Sequence, residues 1–138
     1  MKKVIVLSLL TTSVISFFSF QQKPKFDLAA SVTRGKEVYA ANCVACHQEN
    51  GEGMEDVFPP LAKADYLMAD KTRSILQVLH GASGEMKVNG KIYNGDMAGF
   101  DLSDQEISDV LNYVRNSFGN KGDAIRPEEV KAAKAKSK

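Results

Sequence analysis

Both cysteines of this 138-residue chain lie in one pentapeptide, Cys43-Val44-Ala45-Cys46-His47. On a helix, the C-x-x-C spacing separates the two thiols by about one turn of ~3.6 residues. The histidine that follows adds an imidazole nitrogen beside the two sulfur atoms. This donor set constrains the fold more than any other feature, because the domain has to be built around whatever these three side chains hold.

Four kinds of site use two cysteines spaced in this way. A structural disulfide would close a very short loop and restrain little of the chain. A thioredoxin-like pair needs a preceding strand in a β-α-β unit, whereas this motif ends a helical segment. Zinc needs four ligands, and the one further histidine, His80, lies at no zinc-finger spacing. Covalent haem attachment fits best, because Cys43 and Cys46 can add to the two vinyl groups while His47 reaches the iron. We therefore expect one haem c.

The first twenty residues have the layout of an export signal. Two lysines precede 17 uncharged, mainly apolar residues, Val4–Phe20. No pair of small residues follows at the usual distance for cleavage, and 17 residues also approach the length of a membrane span. We expect residues 1–20 to be a signal peptide or an uncleaved N-terminal anchor. The domain is then exported to the periplasm, either soluble or tethered to the membrane by this segment.

Composition divides the remaining chain into a linker, a domain and a tail. We expect residues 21–30 to be a polar linker, residues 31–120 to be one domain and residues 121–138 to be a basic, flexible tail with little to bury. The alternative for the tail is a loose helix after Pro127. The formal net charge of +1 gives no electrostatic footprint for nucleic acid, so we expect no nucleic-acid partner.

Cap residues and apolar spacing predict two helices in the first part of the domain. The first covers about Val32–Asn42, with Ser31 or Thr33 as its N-cap. The second begins at Asp70, an N-cap residue, and ends at Gly81. Each carries apolar residues at the spacing of one helix face, which predicts an inward face on both.

The last helix and the hairpin before it have the clearest local signals. Ser103 and Glu106 form a capping-box pattern, and Gly119 is placed to end the helix. The segment Met86–Tyr93 places Asn89-Gly90 between two short β-prone runs, which predicts a type I′ turn. The apolar residues of the last helix form one stripe: Ile107, Val110, Leu111, Val114 and Phe118.

Further motifs follow the pentapeptide in a fixed order: Phe58-Pro59-Pro60-Leu61, His80-Gly81, Val88-Asn89-Gly90, Tyr93-Asn94-Gly95, Met97, Leu102-Ser103-Asp104 and Tyr113-Val114-Arg115-Asn116. With this set the chain resembles the monohaem class I cytochromes c from about Arg34 to Asn120. It is similar in particular to the cytochrome c domains attached to copper nitrite reductases or accompanying oxidases and quinoprotein dehydrogenases. The resemblance implies an all-α, small class I cytochrome c fold. Three to five helices would surround one covalently bound haem, with a short β-hairpin before the loop of the axial methionine.

The resemblance also implies the residues around the iron. Met97 matches the methionine that supplies the sixth ligand opposite His47, with His80 or an open position as alternatives. The carbonyl of Pro59 is expected to accept from the other ring nitrogen of His47, unless the two prolines only stiffen the loop. Leu61 is expected to pack on the haem. The other methionines of the domain are not expected to bind iron: Met54, Met68 and Met86.

The ligand set implies an electron carrier rather than an enzyme. Iron held by His and Met has no vacant position for substrate and exchanges single electrons with redox protein partners. We expect a monomer. Two alternatives remain: a fixed electron-relay subunit of a larger oxidoreductase, and a gas- or peroxide-binding haem protein with a displaceable Met97. Acidic residues after the pentapeptide either steer a basic partner or form a solvated loop: Glu49, Glu52, Glu55 and Asp56.

Overall fold

The computed structural model describes residues 25–137, so the expected leader or anchor lies outside the described residues. The described part has six helices: α1 (Leu28–Asn42), α2 (Val44–His47), α3 (Asp65–Ala69), α4 (Lys71–His80), α5 (Asp104–Arg115) and α6 (Pro127–Lys136). Its strands are short: β1 (Gly81–Ala82), β2 (Met86–Val88), β3 (Lys91–Tyr93) and β4 (Met97–Ala98). The expected all-α fold with one hairpin is confirmed. The described residues contain six helices, one more than the upper limit of the expected three to five, and the additional helix is α6. Within residues 25–137, no helix is long and apolar enough to cross a membrane.

The crossing of α1 and α5 forms the centre of the domain. Gly35 of α1 lies against the backbone of Asp109 on α5, where a Cβ would stand only 1.9 Å from the carbonyl oxygen. Beside this contact Tyr39, Tyr113 and Phe118 form a cluster in which each pair of ring centroids is 5.4 Å apart. The helices α1 and α5 are therefore in close contact, and the three aromatic rings pack beside that contact.

The first helix begins four residues before the expected start. Its N-cap is Asp27, whose carboxylate accepts from Ala30 N at 3.1 Å, so neither Ser31 nor Thr33 is the cap. Ser31 is fully buried and donates to the Asp109 carboxylate at 2.5 Å. The last three residues of the expected linker are therefore helical, because a tertiary partner on α5 draws Ser31 into the core.

The starts of α4 and α5 agree with their local signals. Asp70 caps α4 by accepting from Arg73 N at 3.0 Å, and Gly81 is the C-cap that follows its last residue, His80. Ser103 and Glu106 form the complete capping box of α5. The end of α5 differs from the prediction, because the helix stops at Arg115 rather than continuing to Gly119.

The early end of α5 has a side-chain cause. Asn120 Nδ2 donates to Val114 O at 2.7 Å and thereby satisfies a carbonyl of the last turn. Asn116 Nδ2 does the same for Asn112 O at 3.0 Å. Phe118 then adopts a φ of 57°, which takes its ring out of the helical stripe and into the aromatic cluster.

The hairpin forms as predicted. Strands β2 and β3 are antiparallel, with Val88 opposite Lys91. Asn89 and Gly90 both have positive φ, at 51° and 85°, which is the requirement of a type I′ turn. The Asn89-Gly90 pair was therefore sufficient to predict this turn without knowledge of any tertiary contact.

The expectation of a flexible tail is wrong for the described residues after 120. Pro127 occupies the first turn of α6, and Val130 and Ala133 are buried against α4 and α5. The buried side chain of Asn112 binds both backbone groups of Ile125, at 2.7 Å to its N and 2.8 Å to its O. The tail packs because these few small apolar groups coincide with a polar anchor on α5.

Candidate haem-binding site

The pentapeptide lies where α1 passes into α2. Cys43 closes α1 by donating its N–H to Tyr39 O at 2.8 Å, and its own carbonyl accepts from His47 N at 2.9 Å. Gln48, at a φ of 64°, ends α2 after a single turn. Cys43, Cys46 and His47 therefore share one short helical turn that continues directly from α1.

Both thiols are free, and the structure gives no sign of an activated nucleophile. Cys46 is exposed and Cys43 is half-buried. Burial, and then the neighbouring Cys46, raise the pKa of Cys43 to about 11. A redox-active C-x-x-C pair needs a nucleophilic thiol with a lowered pKa, and the upward shift at Cys43 makes that role a poor fit for the two cysteines. They suit the formation of thioether bonds instead.

The imidazole of His47 is oriented by the loop that follows it. Its Nδ1 lies 3.0 Å from the carbonyl oxygen of Pro59. Burial lowers the pKa of His47, which favours the neutral ring. When Nδ1–H donates to Pro59, the lone pair is on Nε2, and that nitrogen is left for a metal.

Two glycines shape the loop that brings Pro59 to His47. Gly53 N donates to His47 O at 3.0 Å, and a Cβ on Gly53 would stand 2.7 Å from Pro59 O. Gly51 O accepts from Leu61 N at 2.7 Å. The loop therefore folds closely on itself, and this close approach supplies both the Pro59 carbonyl and the Leu61 side chain to the site.

One apolar cleft of about 240 Å³ is lined by Cys43, Cys46, His47, Leu61 and Met97. Most of its other walls are apolar side chains from α3, α4, α5 and the loops: Phe58, Pro60, Leu67, Val78, Val88, Phe100, Val110 and Leu111. Two thiols, a neutral imidazole and a thioether within apolar surroundings are the donor set of a covalently bound haem. The residues that are present therefore fit haem c.

Met97 reaches the cleft through a ladder that the sequence did not predict. β4 pairs with β1, with Met97 opposite Ala82 and Ala98 opposite Gly81. A Cβ on Gly81 would stand 2.2 Å from Met97 O, so this approach requires glycine. The pairing ties the methionine loop to the end of α4. A Gly-Ala pair and a Met-Ala pair are too short to show any strand period, and no local signal could have revealed the ladder.

The competing ligands are placed less favourably. His80 is exposed, its Nε2 lies 3.0 Å from Ser137 Oγ, and it does not line the apolar cleft. Met54 is exposed and also lies outside the cleft lining. The side chain of Met68 faces the segment before α6, where its Cε lies 2.8 Å from the position of a Cβ on Gly122. Met86 is the exception, since it lines the cleft together with Met97.

Two polar residues of the cleft were not anticipated. Tyr66 lies on the short helix α3, which the sequence analysis did not predict, and Gln77 lies on α4. Gln77 Nε2 is 3.4 Å from Tyr66 Oη. For Gln77 a signal existed, because its spacing from Ser74 and Val78 places all three on one face of α4. For Tyr66 the sequence contained no signal that would have placed it in the cleft.

The acidic loop is exposed and partly neutralised. Lys91 Nζ lies 3.0 Å from Glu55 and 2.8 Å from Asp56. These two carboxylates raise the pKa of Lys91, mainly because its ammonium group donates hydrogen bonds to Asp56 and then to Glu55. Glu49 and Glu52 are exposed and form no ion pair within the described residues. The loop keeps a net negative charge beside the hairpin.

Comparison with known proteins shows which family the chain belongs to. A model of the cytochrome c family matches residues 32–118. Over 119 residues the chain is 40% identical to cytochrome c-552 of Thermus thermophilus, covering 79% of this chain and 80% of that protein. It is 38% identical over 88 residues to the cytochrome c subunit of a quinone alcohol dehydrogenase from Gluconobacter oxydans, covering 62% of this chain and 18% of that subunit. It is 34% identical over 99 residues to a cbb3-type cytochrome c oxidase subunit of Azospirillum brasilense, covering 67% of this chain and 30% of that subunit. The chain therefore belongs to the cytochrome c family, as an electron-transfer protein that carries covalently bound haem c.

Proposed function

We propose that this domain carries single electrons with a six-coordinate, low-spin haem c held by four of its residues. Cys43 and Cys46 would form the thioether bonds, and His47 and Met97 would be the axial ligands. The main support is that these four side chains line the same apolar cleft. When bound, haem c supplies a reversible one-electron couple.

The protein residues fix the properties of that couple. Pro59 holds the ring of His47 through the contact of 3.0 Å, and the β1–β4 ladder holds the backbone of Met97. A ligand that cannot move keeps reorganisation small when the charge changes. A thioether opposite an imidazole raises the reduction potential. With both axial positions supplied by the protein, no position is left for substrate, so we propose a carrier and not an enzyme.

We further propose that the domain works as a monomer in an exported, periplasmic compartment. The basic and apolar start of the chain supports export, and attachment at its N-terminus is the membrane-bound form of the same proposal. Relatives named as dehydrogenase and oxidase subunits indicate the classes of redox protein that would be its partners. Redox encounters of this type use small interfaces and are short-lived.

Visible spectra of the purified haem protein test the proposal. We expect a low-spin reduced spectrum, a far-red ferric-thioether band and no spectral change with carbon monoxide. Met97→Ala should remove the far-red band and open the iron to carbon monoxide. Met86→Ala is the matched control, because Met86 lines the same cleft and should keep both features of the wild-type protein.

Two spectral results would contradict the proposal. Loss of the far-red band in Met86→Ala but not in Met97→Ala would transfer the ligand role to Met86. A high-spin wild-type protein that binds carbon monoxide readily would refute the carrier and favour a gas- or peroxide-binding protein.

A further inference from the structure

Two arginines meet behind the α3 wall of the haem cleft. Arg73 of α4 donates through Nη2 to Tyr66 O, and Arg115 of α5 donates through Nη1 to Leu67 O at 2.9 Å. These acceptors are consecutive carbonyls of α3, and the side chains of Tyr66 and Leu67 both line the cleft. Two elements that are distant in sequence therefore bring positive charge to the same point of the cleft wall.

The charge of this arginine pair, Arg73 and Arg115, is offset only in part, by the longer-range attraction of Asp123 and Glu129 to Arg115. No ion pair within residues 25–137 includes either guanidinium. The Nε atoms of both are buried without a hydrogen-bond partner in the described structure. Of the carboxylates that face Arg115, Glu129 lies 3.6 Å from Lys71 Nζ instead, and Asp123 stays beyond ion-pair distance.

Burial makes this arrangement costly. Arg115 is only 4% exposed, and Gly122 packs so closely that a Cβ there would lie 3.1 Å from Nη2. An arginine that lacks a carboxylate partner in such surroundings loses hydration without recovering it in an ion pair. By contrast, Arg34 of α1 is half-exposed and pairs with Asp109 of α5 at 2.7 Å. A negative group in the cleft would offset the free-energy cost of burying the Arg115 guanidinium.

The contact with Tyr66 carries the charge to the cleft. The guanidinium carbon of Arg73 stands 3.7 Å from the centroid of the Tyr66 ring. This stacking holds the cation against the side chain of a residue that also lines the cleft. Within an apolar interior, the effective dielectric constant is low, and a fixed charge acts over a longer distance than in water.

We propose that Arg73 and Arg115 are positioning residues that set the reduction potential from behind α3. Their positive charge offsets the carboxylates that haem c carries and disfavours the more positive, oxidised form. The inference rests on the proposed electron-carrier function. It adds a pair of residues that act on the haem through α3 without belonging to the pentapeptide, the methionine loop or the Pro59 contact.

Redox titration of the haem protein against mediators of known potential tests this. Arg73→Gln should shift the equilibrium toward the oxidised form by about threefold, which is ~30 mV at ~59 mV per tenfold for one electron. Arg73→Lys keeps the charge and should recover at least about half of the shift. Arg34→Gln, which removes an ion-paired arginine away from the cleft, should change the equilibrium by less than about 1.5-fold.

Two results would overturn the inference. One is an Arg73→Gln equilibrium within about 1.5-fold of the wild type, and the other is an equal shift in Arg73→Gln and Arg73→Lys, which indicates a purely structural role. If Arg73→Gln yields no folded haem protein, Arg115→Gln and Arg115→Lys make the same comparison. A wild-type protein without any reversible one-electron couple would instead refute the proposed function itself.

Discussion

Replacing Gly35 by alanine tests the central packing of the domain. A methyl group at this position would lie 1.9 Å from Asp109 O, 2.4 Å from Asp109 C and 2.8 Å from Tyr113 Cβ. The first distance is ~1.5 Å short of ordinary van der Waals contact. Because two of the three obstacles are backbone atoms of α5, no rotamer change can relieve the overlap. The helices α1 and α5 have to separate or tilt.

The expected cost follows from two opposing terms. Alanine is favoured over glycine in a helix interior by about 1 kcal/mol. Overpacking a core costs about 1–3 kcal/mol and sometimes more, and a backbone obstacle places this case at the upper end or above it. A separation of α1 from α5 also loosens the aromatic cluster of Tyr39, Tyr113 and Phe118. We therefore expect a net loss of at least about 2 kcal/mol, or ~10 °C in Tm, from a total of about 5–15 kcal/mol.

Denaturant and thermal unfolding of the haem protein, followed by far-UV circular dichroism, measure this loss. Ala40→Gly is the matched control, because Ala40 is exposed on the same helix. It should cost about 1 kcal/mol through helix propensity alone. A Gly35→Ala protein as stable as the wild type, or more stable, would refute the close helix contact, because only the propensity gain would then remain.

Two further changes test contacts around this core. Tyr39 donates to Gln48 O at 2.7 Å, so Tyr39→Phe should lower the free energy of unfolding by about 1 kcal/mol in denaturant titrations. Burial, followed by Cys43, raises the pKa of Tyr39, so its contribution is present below the ordinary tyrosine pKa and is lost as the pH rises beyond it. Tyr39→Phe should therefore flatten the alkaline stability profile, and an unchanged profile would contradict this. Asn112→Ala breaks both bonds to Ile125 and should release α6, seen as faster proteolytic loss of residues after 120, whereas an unchanged cleavage rate would show that α6 holds without this anchor.

Local signals in the sequence were sufficient for several elements. The capping box of α5, the Asp70 cap of α4 and the Asn89-Gly90 turn depend on contacts within a few residues. Such contacts form wherever these residue types occur in this order, so the pattern alone predicts them. The pentapeptide is similar, because the chemistry of haem attachment fixes its spacing.

The elements that the sequence did not predict depend on partners far along the chain. Ser31 suggested an N-cap, but it is buried because Asp109 and Asn112 bind its hydroxyl from 78 and 81 residues away. The C-terminal segment offered few apolar residues, and its order depends on the backbone of Ile125 meeting Asn112. A single-sequence pattern carries no information on such pairings, because each residue type alone is common in loops.

The haem site also combines residues that the sequence indicates with residues whose role depends on distant contacts. His47 was predicted as a ligand from its place in the pentapeptide and Met97 from the family resemblance, but the positions of both depend on glycines whose role appears only in the fold. Gly53 allows the carbonyl of Pro59 to reach His47, and Gly81 allows β4 to lie against the end of α4. Neither glycine touches a donor atom, and yet a Cβ at either one would meet backbone within 2.7 Å. The geometry of the two proposed axial ligands thus depends on two positions that have no ligating chemistry, and a search for donor residues alone would pass over them.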